Sequence, residues 1–286
     1  MNNGRGIKAA FQGERGAFSE EAARRILGRE VDALPRPTFD EMFQAVVSGQ
    51  VDCALAPIEN TLAGSVIRNY DLLLENDLTI VGEVVLKVVH NLIAPPGVAL
   101  ADIKRVYSHP VALAQCERFF AAHPEFEVVP AYDTAGSVKM IMESGKRDEA
   151  AIAGASAADA YGAQILEAGI ESNAQNFTRF FLLVRPDRAS EIVPLTGGPE
   201  RKTSIVFRIG NRPGALYRSL AAFAEQNIDL TKIESRPIEG RPWEYSFYLD
   251  FIGDRSSAPV QQALAHLAAH AENLRILGSY PKAADL

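Results

Sequence analysis

Cysteine is nearly absent. The chain of 286 residues carries two, Cys53 and Cys116, too few for a disulfide framework and without the CxxC spacing of a metal knuckle. A basic excess is missing as well: the formal net charge is -7, so a nucleic-acid partner, which needs a basic face, is not expected. An anionic ligand stays compatible with that balance, because a few local donors hold one against a weakly negative background. Hydrophobic residues make up 47% of the chain, yet no run is long or pure enough to span a bilayer, and no membrane association is expected. The opening segment, 1–8, is short and polar and lacks the apolar middle of a signal peptide, which predicts a cytoplasmic, reducing location. His, Asp and Glu show no metal-ligand spacing, and Gly4-Arg5-Gly6 precedes the first apolar run, so it forms no dinucleotide loop. Neither a metal nor a cofactor is expected.

What the chain does have is alternation. Residues 7–184 switch between short apolar runs and helical patterns, which predicts α/β units around mainly parallel strands. After the run 7–11, Ser19 is placed to cap a helix, with Phe18 as its staple, Glu21 and Arg25 one turn apart, and Gly28 at its end. Thr38-Phe39-Asp40-Glu41 is a capping box for a second helix that stops near Gly49. Asp52-Cys53-Ala54-Leu55-Ala56 reads as a buried strand running into Pro57-Ile58-Glu59-Asn60. Two long apolar segments, 78–93 and 180–184, bracket a block with its own strands at Val106-Tyr107-Ser108, Val128-Val129-Pro130 and Ala150-Ala151-Ile152-Ala153. A chain that leaves one lobe and returns much later predicts two lobes with a cleft. Lobe one is then about 1–82 with 177–190, and lobe two about 83–176. From 185 onward the pattern dissolves into Pro, Gly and charge, and 191–202 reads as a linker. Beyond it, strands at 204–209, 228–233, 245–251 and 274–277 and helices at 214–225 and 260–271 follow the order βαββαβ, the ferredoxin-like arrangement.

Four strand ends lead into helices through small or hydroxylic residues: Asn60-Thr61-Leu62-Ala63-Gly64-Ser65, Ser108-His109-Pro110, Asp133-Thr134-Ala135-Gly136-Ser137 and Gly154-Ala155-Ser156. Free backbone N–H groups and the helix dipole there favour carboxylates or phosphates, and such ends line the crevice of open α/β sheets. Any one of them by itself is more readily a well-capped turn; four in one region predict an anion-binding cleft. Asn176-Phe177-Thr178-Arg179-Phe180 sets an amide, a hydroxyl and a guanidinium beside two aromatics. As a strand it sends Thr178 and Phe180 to one face and Phe177 and Arg179 to the other. Its spacing alone fits an edge strand as well as an active site. Ser108-His109 lacks the G-x-S-x-G elbow of a hydrolase, and His90 in its apolar run reads as a core histidine. Glu59 is an acid–base group or a turn cap.

Together these segments resemble the prephenate dehydratase family, and they occur in its order. Phe11-Gln12-Gly13 with Gly16-Ala17-Phe18-Ser19 resembles the family's opening; Pro57-Ile58-Glu59-Asn60, Ser108-His109-Pro110 with Gln115, Asp133-Thr134-Ala135-Gly136 and Ala151-Ile152-Ala153 resemble its internal motifs. Asn176 with Thr178-Arg179-Phe180 resembles its signature, whose threonine is held essential. The region 203–286 resembles the ACT regulatory module, with Gly214-Ala215-Leu216 and Glu234-Ser235-Arg236-Pro237 in place of its two phenylalanine-binding motifs. Thr61 stands where the family often has serine, and Tyr217 where the module commonly has valine. The chain starts at the dehydratase opening, so no fused chorismate mutase domain is expected ahead of it.

The resemblance implies a two-lobed α/β catalytic domain over 1–190, like type II periplasmic-binding-protein folds, followed by the ferredoxin-like ACT domain. It implies loss of the ring hydroxyl and ring carboxylate of prephenate to give phenylpyruvate, with Thr178, Arg179 and Phe180 as catalytic residues. Thr178 would donate a hydrogen bond to the leaving hydroxyl, Arg179 would anchor a carboxylate or pair within the protein, and Phe180 would wall the ring. Asn176, Glu59, Asn60, Thr61, Ser108, Gln115, Thr134 and Ala135 would contact substrate. L-Phenylalanine would bind as feedback inhibitor at Asn211, Pro213, Gly214, Ala215 and Leu216, against Glu234, Ser235 and Arg236 of a second copy in a homodimer or homotetramer. Arogenate dehydratase and a catalytically inactive phenylalanine sensor are the alternatives. A solute-binding protein or a transcription-factor effector domain would share the cleft, but the missing signal peptide and helix-turn-helix speak against them.

Overall fold

A computed structural model describes residues 6–238 and 240–284; Gly4 and Arg5 of the first glycine pair lie outside the described residues. The chain divides into two compact units, one running to Asn76 and resuming over Val84–Leu182, the other formed by Asp77–Glu83 and the chain from Leu183 onward.

The first unit opens with β1 (Lys8–Gln12), α1 (Phe18–Leu27), β2 (Asp32–Arg36), α2 (Phe39–Val47), β3 (Cys53–Asn60), β4 (Gly64–Ser65), α3 (Ile67–Glu75) and β5 (Thr79–Lys87). β1 and β3 pair in parallel, with Ala9, Ala10, Phe11 and Cys53 to Ala56 wholly buried. Strands covered on both faces read as continuous apolar runs, which is why both were visible in sequence. β2 is the edge strand, where Pro35 costs no ladder bond; it is short and none of its residues is fully buried, so it left no apolar run in the pattern. Thr38 caps α2 as expected, its hydroxyl accepting the Glu41 N–H at 3.1 Å. Ser19 does not cap α1. Ala17 occupies that position, and the Glu20 carboxylate accepts the Gly16 N–H at 2.7 Å. The ion pair one turn apart joins Glu20 to Arg24, while Glu21 accepts from the Ser156 hydroxyl.

The chain then crosses to β6 (Asn91–Ala94), β7 (Arg105–Ser108), α4 (Pro110–Gln115), α5 (Glu117–Ala122), β8 (Glu127–Pro130), α6 (Thr134–Ser144), β9 (Glu149–Ala153), α7 (Ala155–Tyr161) and β10 (Gln164–Ala168), and returns as β11 (Phe177–Val184). The sheet orders are β2-β1-β3-β11-β5 and β10-β6-β9-β7-β8. The returning strand thus enters the first sheet beside β3, giving the two-lobed α/β class. The second sheet is mixed rather than mainly parallel, since β6 runs antiparallel to both β9 and β10. The apolar segment 78–93 is two strands in different sheets, and β5 runs to Lys87, past the break expected near 82. Both crossings lie side by side: the Val88 N–H donates to the Asn176 carbonyl at 2.8 Å. Gly16, with φ +82, lets the turn before α1 approach α7, where a Cβ would sit 2.5 Å from the Ala157 Cα.

The second unit carries β12 (Arg201–Arg208), α8 (Ala215–Ala224), β13 (Leu230–Ile238), β14 (Arg241–Ile252), α9 (Ala258–Ala268) and β15 (Glu272–Pro281). Their sheet is antiparallel in the order β13-β14-β12-β15, the ferredoxin-like order. Ile205, Phe207, Phe223, Leu249, Phe251, Val260 and Leu267 form its core between one sheet face and the two helices. β12 starts at Arg201, inside the expected linker 191–202. Lys202 and Glu83 make a buried ion pair at 2.8 Å within this unit.

Candidate active site

A cavity of about 650 Å³ opens in the first unit, lined by residues of both lobes. Asn60, Gln115, Thr134 and Thr178 line it, together with Gln12, Phe18, Thr38, Asp40, Ser65, Val66, Val88, His90, His109, Tyr132 and Asp133. No Lys or Arg is among the described lining residues.

At its floor is a chain of amides. The Asn60 Oδ1 accepts the N–H groups of Leu62 (3.0 Å) and Ala63 (2.8 Å), so β3 ends in a turn that its own side chain closes. The Asn60 Nδ2 donates to Asn176 Oδ1 (2.8 Å), the Phe177 carbonyl (3.1 Å) and Thr178 Oγ1 (3.0 Å). Gln115 Nε2 donates to Asn60 Oδ1 at 3.3 Å, and Asn176 Nδ2 donates to Gln115 Oε1 at 2.9 Å. Asn176 is fully buried, so it orders the floor without lining the cavity. The Thr178 hydroxyl receives a hydrogen bond, and no acceptor for its own proton occurs among the described residues.

Other expected site residues lie elsewhere. Phe180 is 1% exposed in the core of its strand and walls nothing, because the residue two along from Thr178 points into the sheet packing rather than the cavity. Arg179 turns to the opposite face and pairs with Glu59 at 3.2 Å, its guanidinium carbon 5.0 Å from the Phe181 ring centroid. It therefore holds protein, and Glu59 is its partner rather than a cavity residue. Ser108 is buried and donates to the Ile152 carbonyl at 2.7 Å, tying β7 to β9. Ala135 is buried in the packing of α6, and Thr61 bridges Gln175 and Phe177 across the crossing without reaching the cavity.

Of the four expected helix openings, three border the cavity, and each has at least one backbone N–H capped locally. The Asn60 turn leads to β4, not to a helix; His109 caps α4 by accepting the Val111 N–H; Asp133 caps α6 by accepting the Gly136 N–H at 3.1 Å. The Gly154 opening packs against Phe18 and does not itself line the cavity. Burial pushes the Asp133 carboxyl up, against the pull of the backbone N–H groups of Glu14, Gly136 and Thr134. The hydrogen bond from Arg68 holds the Asp40 carboxyl low.

His90 is buried as its apolar run predicts, at 2% exposure, yet it lines the cavity with its Nε2 2.8 Å from Gln115 Oε1. Burial lowers its pKa, outweighing the Gln115 hydrogen bond and the Glu171 charge. Nothing in the local sequence separates it from an ordinary core histidine. Cys53 and Cys116 are buried, and burial raises both thiols, Cys116 to about 12. They offer no nucleophile.

In the second unit Asn211, Ala215 and Leu216 line a small cavity of about 120 Å³ with Trp243, Tyr245 and Phe247. Gly214 takes φ +77 at the start of α8, which a glycine does without strain. Pro213 and Gly214 lie in the turn without lining that cavity, and Glu234, Ser235 and Arg236 lie on the edge strand β13, also outside it.

A family model described as prephenate dehydratase matches residues 9–188, and one described as ACT domain matches 203–268. A protein of Arabidopsis thaliana named arogenate dehydratase/prephenate dehydratase 2, chloroplastic, is 44% identical, covering 98% of this chain and 74% of that protein. A solved prephenate dehydratase from Arthrobacter aurescens, in complex with L-Phe, is 33% identical with a TM-score of 0.86, covering 96% of this chain and 90% of that one. A solved structure described as GqqA, a novel type of quorum quenching acylase, is 36% identical with a TM-score of 0.86, covering 96% of this chain and 98% of that one. With the two-lobed cavity, the amide floor beneath Thr178 and these matches, the chain belongs to the prephenate dehydratase family of carbon–oxygen lyases and carries an ACT domain behind its catalytic region.

Proposed function

We propose that the protein converts prephenate to phenylpyruvate and that L-phenylalanine inhibits it through the ACT domain. The carrying observation is the Thr178 hydroxyl, which accepts from Asn60 and keeps its own proton for a cavity ligand. In the reaction the bond from the ring to its carboxylate breaks and releases carbon dioxide. That electron pair completes the aromatic ring and expels the ring hydroxyl, which takes up one proton and leaves as water. Aromatisation drives the step, so the site has to hold the ring and meet the charge growing on the departing oxygen. A threonine hydroxyl is too weak an acid to surrender its proton, and a hydrogen bond aimed at that oxygen is the role it fills. Thr178→Val keeps the shape and removes the donor. Ultraviolet assay of phenylpyruvate should show kcat lowered by about 10²–10³, the worth of one preorganised donor. A variant with kcat near that of the unaltered enzyme overturns the assignment.

One feature favours arogenate as a second substrate: the carboxylates of Asp40 and Asp133 line the cavity and suit an ammonium group better than a keto group. Prephenate and arogenate assayed side by side decide between them by their kcat/KM values. An acylase reading, prompted by the solved relative's description, would need a nucleophile beside a base; Thr178 has an amide as its neighbour instead.

For regulation, phenylalanine would settle on the turn Asn211–Leu216, with Glu234, Ser235 and Arg236 supplied by a second copy's edge strand. Trp243, the chain's one tryptophan, borders that turn. Phenylalanine should therefore give a saturable change in tryptophan fluorescence that parallels loss of activity. No change in either quantity at saturating phenylalanine refutes the regulatory reading.

A further inference from the structure

An amide side chain has two ends of equal shape, so a row of amides acquires a direction only where a neighbour fixes it. Here the backbone does so. N–H groups only donate, so Asn60 turns Oδ1 toward Leu62 and Ala63 and Nδ2 toward Asn176 and Thr178. Asn176 must then present Oδ1 to Asn60 and Nδ2 to Gln115. Gln115 in turn gives Nε2 to Asn60 and keeps Oε1 for Asn176 and for His90 Nε2, 2.8 Å away. A carbonyl oxygen only accepts, so the proton lies on His90 Nε2.

We infer that His90 is a positioning residue of the dehydration: as a neutral imidazole protonated on Nε2, it closes the amide chain that turns the Thr178 hydroxyl proton into the cavity. This rests on Thr178 being the donor to the departing oxygen. The ring is held for that task. It is nearly wholly buried, Phe18 packs edge-on at 6.0 Å, and Nδ1 finds no partner among the described residues. An imidazolium would carry a second N–H at Nδ1 with nowhere to donate, so the surroundings select the neutral form. Without the His90 donor, Gln115 Oε1 keeps only the Asn176 N–H, so the carboxamide loses one of the bonds that hold it in place. A looser Gln115 would hold Asn176 less firmly, and with it the Asn176 Oδ1 that helps keep Asn60 Nδ2 beside Thr178.

The test uses the full chain with two near-isosteric replacements. His90→Gln keeps an N–H where Nε2 stands; His90→Met removes it. In His90→Met, kcat for the better of prephenate and arogenate should fall about tenfold, one hydrogen bond's worth, with KM little changed. His90→Gln should restore most of that loss. Long-range proton–nitrogen NMR of the unaltered protein should show His90 neutral and protonated on Nε2. A folded His90→Met enzyme with undiminished kcat, a folded His90→Gln enzyme as impaired as His90→Met, or an Nδ1–H or imidazolium signal overturns the inference. The tautomer measurement decides it even where His90→Met does not fold. An unimpaired Thr178→Val enzyme sinks the underlying reading instead, whereas an impaired Thr178→Val beside an unimpaired His90→Met sinks this inference alone.

Discussion

Asn60→Asp exchanges one NH₂ for an oxygen and so reports on the direction of the amide chain. The new carboxylate still accepts from the Leu62 and Ala63 N–H groups, a bond that charge strengthens. Its other oxygen faces three acceptors at 2.8, 3.1 and 3.0 Å: Asn176 Oδ1, the Phe177 carbonyl and Thr178 Oγ1. Leaving the two part-buried carbonyl oxygens unmet costs about 1 kcal/mol each, roughly 2 kcal/mol in all, against about 1 kcal/mol gained at the turn. A net loss of about 1 kcal/mol lowers Tm by about 2–4 °C for a unit of this size. Thr178 can then turn its proton to the new carboxylate, so kcat should fall by about 10²–10³. The loss also has a pH signature. Burial and three facing acceptors raise the new carboxyl's pKa in the fold, so the protonated form is the stable one. Its contribution is fully present below the unfolded value of about 4 and disappears as pH rises through the raised folded value. Thermal melts followed by circular dichroism at neutral and mildly acid pH, with kcat measured at neutral pH, check all three. An Asn60→Asp enzyme that melts and turns over like the unaltered protein at neutral pH refutes the deduced chain.

Lys202→Met in the second unit leaves the Glu83 carboxylate buried without its ammonium, and should cost about 3–5 kcal/mol in denaturant unfolding. Adding Glu83→Leu should recover most of that, because it removes the charge that was stranded. Asp133→Asn should destabilise less than Asp133→Ala near neutral pH, since an amide oxygen can replace the carboxylate oxygen that receives both the Glu14 and Gly136 N–H groups and only the Thr134 N–H interaction is weakened. Asp133→Ala should lose about 1 kcal/mol with its cap. The sign follows from burial: the raised Asp133 carboxyl adds stability below its unfolded value and loses it as pH rises through the folded one, so Asp133→Asn should flatten that part of the pH–stability curve.

Sequence by itself determined the parts whose physics is local. Strands covered on both faces are apolar along their centres, so β1, β3 and β9 stand out as runs. The Thr38 cap answers a backbone N–H three residues away, and the strand–helix order of the ACT module is carried by periods that any observer of the chain can count. The order of separated motifs gave the family. Edge strands β2 and β10 escaped because an exposed edge imposes no apolar pattern.

Tertiary structure decided which motif residues meet the cavity. Alternation along β11 separates Thr178 and Phe180 from Arg179, but only the packed sheet shows that Thr178 reaches the cavity while Phe180 is sealed beneath it. Ser108 and Ala135 belong to well-marked segments and still serve packing, because burial depends on what lies above a strand or helix and not on its own letters. His90 shows the converse, an unremarked residue brought to the site by the crossing between lobes. The direction of the amide chain is the furthest from sequence: it starts from two backbone N–H groups at 62 and 63 and passes through 60, 176 and 115 to 90, positions that only the fold makes neighbours.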